Sequence, residues 1–466
     1  MTVHVELRPG AYADSVALLQ VSRLVAGTPG VEAAQVAMAT ELNVEVLGQM
    51  GFEVPAAATA NDMVVAIRLA DDAPDDALAA ALAAVAAALT ARAAATTSEV
   101  APPRTTAAAL RITPDAFTLV SVPGASALVE AVDALDAGRD VMLFSDNVPL
   151  EQEVALKRLA TERGLLVMGP DCGTAVLGGL GLGFANACRP GPVALVAASG
   201  TGCQQLLALL DHAGVGVTHA LGVGGRDLSA EVGGLSTREA TRRLDGDDSV
   251  ELVVVVSKPP APEVAADLTT YLDGLATPVE LGLLGAGQPD LTAVTERVLG
   301  RLGRDVPSWP VRGAVRADAR AGLLHGLFVG GTLCTEARLI AEAALGTDAI
   351  AFTDFGDDEF TRGRAHPMID PTLRLERLAD VAGSAGVVLV DVVLGHGAEP
   401  DPAERLAPAV AAVSGDVPVV VSVVGTAADP QGLERQVAAL ADAGAEVHLS
   451  NAGAARRAVS LRESVR

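Results

Sequence analysis

The chain has 466 residues, half of them apolar but only 2% aromatic, and a formal net charge of −25. That length exceeds one typical core, so roughly two to four domains are expected, packed mainly with Ala, Val and Leu. The acidity argues against nucleic acid and against an anionic membrane surface as partners, and any anion site must be built locally against that field.

Residues 1–95 alternate short elements. Val3–Leu7 reads as a strand, Asp14–Ala26 as a helix, Ala33–Met38 and Met63–Leu69 as strands, and Asp75–Arg92 as a long helix. This predicts a small α+β domain of ferredoxin-like or ACT-like type, the latter a metabolite sensor. The low-polarity run Ala77–Ala91 is too short and too weakly apolar to span a bilayer. Residues 96–106 read as a polar, proline-bearing linker.

From residue 107 strand and helix patterns alternate regularly. Strands are predicted at Leu119–Val122, Asp140–Phe144, Leu165–Met168, Val193–Val196, Val217–Leu221, Leu252–Val256 and Val279–Leu284. Most are continuous apolar runs, as in parallel strands buried on both faces. A doubly wound α/β arrangement follows, with a first domain over 107–190 and a second over 191–300. Residues 301–321, Arg-rich around Trp309, read as a connector. Residues 322–466 read as another α/β domain, with strands at Gly326–Phe328, Ala349–Phe352, Gly386–Val393, Val417–Val424 and Glu446–Leu449. The second and third α/β domains read as distant structural copies.

The four cysteines, Cys172, Cys188, Cys203 and Cys334, have no CxxC spacing. They predict neither a disulfide framework nor a zinc site, and a reducing cytoplasm fits. The start, MTVHVELRPG, has no basic-then-apolar signal pattern.

The most informative stretch is Val193–Leu210. Its apolar run breaks at Ser199-Gly200-Thr201-Gly202 and resumes at helical spacing. A strand, a small-residue turn and a helix start place free N–H groups and the positive helix end where an anion can approach. Other turns gather at predicted strand ends: Pro123-Gly124, Ser145-Asp146-Asn147, Gly169-Pro170-Asp171-Cys172, Gly222-Val223-Gly224-Gly225-Arg226-Asp227 and Ser257-Lys258-Pro259-Pro260. Ligands of open α/β sheets bind at this edge. Lys157 and Lys258 are the only lysines; arginine supplies the other positive side chains.

These strings carry a resemblance. FSDNV-x-LE-x-E, GLLVMGPDCGT, ASGTG-x-Q, GVGGRDLSAEVGG, VSKPPA and FTDFGDDEFTRGRAHPMIDP together resemble the FdrA family, itself similar to succinyl-CoA synthetase. The resemblance runs through nearly the whole chain. It implies a multi-domain α/β fold: a Rossmann-like CoA-binding-type domain, then two flavodoxin-like succinyl-CoA-synthetase-type ligase domains, behind the small N-terminal α+β domain. It also implies that Ser199, Gly200, Thr201, Gly202, Gly224, Gly225 and Asp171 bind phosphate or substrate. The segments at Val122, Pro123, Ser145 and Asn147 match loops that face CoA in the synthetase.

The departures from the synthetase are informative. Its glycine-rich first CoA loop is missing, because Ala107–Phe117 carries no glycine, which argues against CoA binding. No GHAGA phosphohistidine loop follows Gly285. The glutamate that meets phosphohistidine is replaced by Lys258, and no ATP-grasp domain is present. His396, in Leu394-Gly395-His396-Gly397, lies where the synthetase β subunit has a glycine-rich turn and is a poor phosphohistidine candidate.

The family resemblance implies either acyl-CoA synthetase activity or participation in oxamate carbamoyltransferase, a multi-subunit enzyme of allantoin breakdown. The latter needs a phosphate site and a site for a small carboxylate, but neither CoA nor phosphohistidine. Lys258 is then expected to stabilise the phosphate, and Arg226 to pair with the substrate carboxylate. Asp354, Asp357 and Asp358, in an acidic stretch with Glu359, His366 and Asp370, suit Mg²⁺. A hetero-oligomer with other pathway subunits, or a homodimer, is expected. A regulatory or scaffolding subunit is the non-enzymatic alternative.

Overall fold

The computed structural model describes residues 2–13, 15–93, 103–361 and 365–465; residues 96–102 of the expected linker lie outside them. The chain divides into two compact units, Met1–Ala109 with Thr361–Ala365, and Leu110–Phe360 with His366–Arg466.

The first unit runs β1 (Thr2–Arg8), α1 (Ser15–Ala26), β2 (Val31–Met38), α2 (Glu41–Gln49), β3 (Met63–Leu69) and α3 (Ala77–Ala93). Its sheet has the order β1-β3-β2, with β3 antiparallel to both neighbours. Central β3 is apolar apart from Arg68 because both of its faces are covered. Met63, Val65 and Ile67 pack with Leu18, Val21 and Val25 of α1, while Val64 and Ala66 pack with Leu47 of α2 and Phe52. Helix α2 has no counterpart in the sequence prediction. Its start is fixed by Thr40, whose hydroxyl accepts from the Asn43 N–H.

Helix α4 (Thr106–Ile112) spans the division. Next come β4 (Thr118–Val120), α5 (Gly124–Asp136), β5 (Val141–Leu143), α6 (Leu150–Glu162) and β6 (Val167–Met168), whose strands form a parallel sheet in sequence order. The chain then forms the hairpin β7 (Thr174–Leu177) and β8 (Leu180–Gly183). It continues through β9 (Val193–Ala198), α7 (Gly200–His212), β10 (Val217–Gly222), α8 (Leu235–Asp245), β11 (Leu252–Ser257), α9 (Pro262–Leu272), β12 (Val279–Leu283) and α10 (Leu291–Arg301). The last part is β13 (Val311–Gly313), β14 (Leu324–Phe328), α11 (Gly331–Leu345), β15 (Ile350–Asp354), α12 (Asp358–Thr361), α13 (Thr372–Ala382), β16 (Val387–Val393), α14 (Pro402–Val413), β17 (Val419–Val424), α15 (Leu433–Asp442), β18 (Glu446–His448) and α16 (Asn451–Glu463).

The two larger sheets have the orders β12-β11-β9-β10-β7-β8 and β13-β18-β17-β16-β14-β15. In each, the first parallel strand lies between the second and third, which is flavodoxin-like topology. The strand order therefore reverses beside β9 and beside β14, and α7 and α11 start at those two switch points. Between the sheets lies one shared core, with Leu206 and Leu210 of α7, Val294 and Val298 of α10, Leu333 and Ala337 of α11, and Ala454 and Ala458 of α16. Helix α7 is buried from Gly202 to Asp211, which explains its run of leucines.

Two details differ from the sequence expectation. The β7–β8 hairpin lies within 107–190 but joins the next sheet, where β7 runs antiparallel to β10. The segment read as a connector contributes β13, antiparallel to β18. All three strands are too short for hydrophobic periodicity to reveal. Among the described residues, no helix is long and apolar enough to cross a membrane.

Candidate functional site

The strand β9 is followed by Ser199, an extended residue that caps α7 by accepting the Gly202 N–H on its hydroxyl at 3.1 Å. The helix leaves the N–H groups of Gly200 and Thr201 to other partners. The strand β14 leads in the same way into Gly330 and α11, which has no side-chain cap. The two helix starts meet. Ser199 Oγ donates to Thr332 Oγ1 at 2.7 Å, and a methyl group at Gly330 would lie 3.0 Å from Thr201 Cγ2. Two positive helix ends thus converge on one spot, with Gly200 exposed and Thr201 and Gly331 half-buried beside it.

The second helix start is held from below. Asp391 of β16, fully buried, accepts from the Val329 and Gly330 N–H groups at 2.8 Å each. Arg374 of α13 binds its main-chain oxygen at 2.5 Å and lies 3.3 Å from Oδ1. Burial pushes the Asp391 carboxyl up to about 6, opposed by Arg374 and the two N–H groups. The carboxylate sets the entry angle of α11.

Lys258 follows β11 and is exposed. A methyl group at Gly331 would lie 2.9 Å from Lys258 Nζ and 2.5 Å from Asp354 Oδ2, so both side chains reach the first residue of α11. Asp354 Oδ1 accepts the Gly356 N–H at 2.9 Å. Burial raises the Asp354 carboxyl above its ordinary value, with Lys258 opposing. The structure therefore brings Ser199, Gly200, Thr201, Gly202 and Lys258 together, and adds Gly330, Gly331, Thr332, Asp354 and Asp391.

A second group of turns lies at the ends of β4, β5, β6 and β10. Ser145 Oγ donates to the Val122 carbonyl at 2.5 Å, which ties together two of the segments expected to face CoA. Gly124, beside Pro123, must be glycine, because a methyl group there would lie 2.2 Å from the Asp146 carbonyl. Asn147 and Asp171 both adopt positive φ, at 51° and 56°. The Asp171 N–H donates to the Ser145 carbonyl at 2.9 Å. Gly224, at φ 89°, approaches so closely that a methyl group would lie 2.5 Å from the Pro170 carbonyl, whereas Gly225 faces open space.

Lys157 fixes this second group. Its Nζ donates to Glu153 Oε1, Asp227 Oδ1 and the Val223 carbonyl, each at 2.8 Å, in full burial. Arg226 donates from Nε to Glu153 Oε2 and from Nη2 to the Val148 carbonyl, each at 2.8 Å. Arg226 is thus clamped to α6 and sits with Gly224 and Gly225.

Two of the remaining candidates are exposed. His396 is exposed, and its N–H donates to the Ala185 carbonyl. Asp357 is exposed, and the Asp358 side chain lies outside the described residues. Among the described residues, no three His, Cys, Asp or Glu side chains converge as a metal set. Burial pushes the Cys172 thiol up to about 12 and raises the Cys203 thiol still further, so neither is a ready nucleophile.

A Rossmann-like domain followed by two flavodoxin-like domains, whose first helices meet at their N-termini, defines a protein of the CoA-ligase type. The family profile described as "CoA-ligase" matches residues 327–461, and the one described as "AllF, heavy metal-associated domain" matches residues 1–104. An uncharacterized protein, YahF of Escherichia coli (strain K12), is 36% identical over 465 residues, covering 89% of this chain and 90% of its own. The chain belongs to the FdrA family of succinyl-CoA-synthetase-like proteins.

The malate–CoA ligase α subunit of Methylorubrum extorquens is 25% identical over 209 residues, covering 43% of this chain and 67% of its own. The α 2 subunit of succinate–CoA ligase from Archaeoglobus fulgidus is 26% identical over 231 residues, covering 48% and 76%. Among solved structures, the dinucleotide-forming acetyl-coenzyme A synthetase 1 of Ca. Korarchaeum cryptofilum aligns with a TM-score of 0.30 at 14% identity, over 79% of this chain and 86% of that one.

The N-terminal family description implies a heavy metal. Residues 1–104 contain no cysteine, and their one histidine, His4, lies 3.5 Å from Glu6. That donor set does not fit a soft metal, which calls for thiolate or clustered imidazole.

Proposed function

We propose that the chain is a subunit of a phosphate-dependent carbamoyl or acyl transferase, and that its reaction is oxalurate plus phosphate giving oxamate plus carbamoyl phosphate. The observation that carries this reading is the meeting of two helix N-termini beside Lys258, where a free anion can be held. The N–H groups of Gly200, Thr201 and Gly331, with Lys258, would hold phosphate. A phosphate oxygen attacks the carbamoyl carbon, the carbon–nitrogen bond to the oxamate nitrogen breaks, and that nitrogen takes up a proton. Negative charge developing on the carbamoyl oxygen and the phosphate is stabilised by the same preorganised donors.

No phosphohistidine is required, and none is provided where the synthetase resemblance would place it. Residues after Gly285 instead turn into α10, capped by Asp290, whose carboxylate accepts the Ala293 N–H. Arg226 is given a positioning role here, because Glu153 and the Val148 carbonyl already hold its guanidinium.

The test is phosphorolysis of oxalurate by the chain assembled with its partner subunits. Lys258→Ala is expected to weaken phosphate binding about tenfold or more, as for loss of one charged hydrogen bond. Full activity of that variant would overturn the assigned role. The second reading, acyl-CoA ligation, follows from the named relatives. Calorimetric titration separates the two: tight CoA binding would favour ligation, despite the glycine-free stretch Ala107–Phe117.

A further inference from the structure

His366 is the one histidine at the paired helix starts that the proposed reaction leaves without a task. Its ring packs against Phe184, with centroids 5.9 Å apart, and Phe184 packs in turn against Phe144. Its Nδ1 accepts the Met368 N–H at 3.2 Å. An imidazole nitrogen that accepts is unprotonated, so in the neutral ring the proton sits on Nε2. That nitrogen faces the site. A methyl group at Gly356 would lie 3.0 Å from His366 Nε2 and 3.2 Å from Asp354 Oδ1, while Asp354 Oδ2 and Lys258 Nζ flank Gly331. Nε2 makes no hydrogen bond with a described residue. Burial pushes the imidazole down to about 4, so the ring is neutral at ordinary pH.

This geometry excludes one role and fits another. A phosphoryl acceptor needs a free lone pair, but the Nδ1 lone pair is taken and Nε2 carries a proton. A neutral N–H held rigidly at the edge of an anion site is a hydrogen-bond donor. We propose that His366 is a catalytic residue that donates its Nε2–H to a carbonyl or carboxylate oxygen of a small amide-bearing carboxylate bound beside the phosphate. The inference rests on the reading that phosphate binds at the starts of α7 and α11. It divides the site into two parts: helix N–H groups and Lys258 for the phosphate, and His366 for the organic oxygen.

Calorimetry on the full chain tests it, with inorganic phosphate and oxamate as separate probes. His366→Phe keeps the ring and removes the donor, whereas His366→Gln keeps an N–H. The expected result is a tenfold or greater loss of oxamate affinity in His366→Phe, partial recovery in His366→Gln, and phosphate affinity within twofold of the parent in both. Lys258→Ala should show the converse, losing phosphate affinity first. ¹⁵N-histidine spectra, assigned by the resonance that His366→Gln removes, should show a protonated Nε2 whose signal shifts when oxamate is added.

Unchanged oxamate affinity in His366→Phe, or a protonated Nδ1, overturns the role of His366 while leaving the phosphate site standing. Failure of the parent chain to bind phosphate overturns the site reading, and this inference with it.

Discussion

The chain's two lysines do opposite work. Lys258 is exposed at the paired helix starts, while Lys157 is sealed inside, between Glu153 and Asp227. The Asp227 carboxylate also accepts from the Ser236 and Thr237 N–H groups and the Thr237 hydroxyl, so Lys157 holds the turn after β10 against α6 and α8. Removing it leaves two buried carboxylates facing each other. Lys157→Met should therefore cost about 3–5 kcal/mol in chemical denaturation, whereas Lys258→Ala should leave the midpoint unchanged. Equal effects on stability would contradict this division. Nothing local distinguishes the two residues in the sequence, because the partners of Lys157 include a residue 70 positions away. The cysteines are a similar case. Cys188 is half-buried with its thiol pushed up to about 11, and Cys172 reaches about 12. All four thiols should label slowly with a disulfide reagent at pH 8 and fast in denaturant.

At the scale of elements, the helix start at Ser199–Gly202 was legible because glycine and hydroxyl residues follow an apolar strand. The opposing start at Gly330-Gly331-Thr332 carries a comparable signal after β14, a small-residue turn ending in Gly-Thr. Its significance lay in pairing, which depends on two sheets meeting through one shared core. Gly331 tests that pairing. A methyl group there meets only the ends of side chains, Asp354 Oδ2 and Lys258 Nζ, with no backbone atom among its nearest contacts. Gly331→Ala should fold, because these ends can swing away, yet lose most phosphate affinity in calorimetry. Normal phosphate binding by a well-folded Gly331→Ala would move the anion site away from α11. The second group of turns was equally visible, and Arg226 was expected there to pair with the substrate carboxylate. Its contacts with Glu153 and Val148 depend on the fold of α6 and were hidden for that reason.

At the scale of the whole molecule, the parallel strands themselves were legible as continuous apolar runs, while short β7, β8 and β13 escaped because they bury too little to leave a pattern. The seam between the two flavodoxin-like sheets was hidden as well, and one carboxyl makes it measurable. Glu336 of α11 accepts the Leu291 N–H at the start of α10 at 2.6 Å and the Asn451 side-chain amide at the start of α16 at 2.7 Å. Burial pushes this carboxyl up to about 7 from an ordinary 4.5, opposed by those two hydrogen bonds. The folded chain therefore binds a proton more tightly than the unfolded one. That stability is fully present below about pH 4.5 and is lost as pH rises through about 7, with a total on the order of 3 kcal/mol. Asp391 changes in the same sense, and His366 in the opposite one, since its depressed value costs stability as pH falls. Both are the same in a Glu336→Gln variant, so the difference between the two proteins isolates Glu336. Urea midpoints taken from pH 5 to pH 8 should fall more steeply in the parent than in Glu336→Gln. Parallel curves would mean that the carboxyl is ionised throughout and that the seam tolerates its charge.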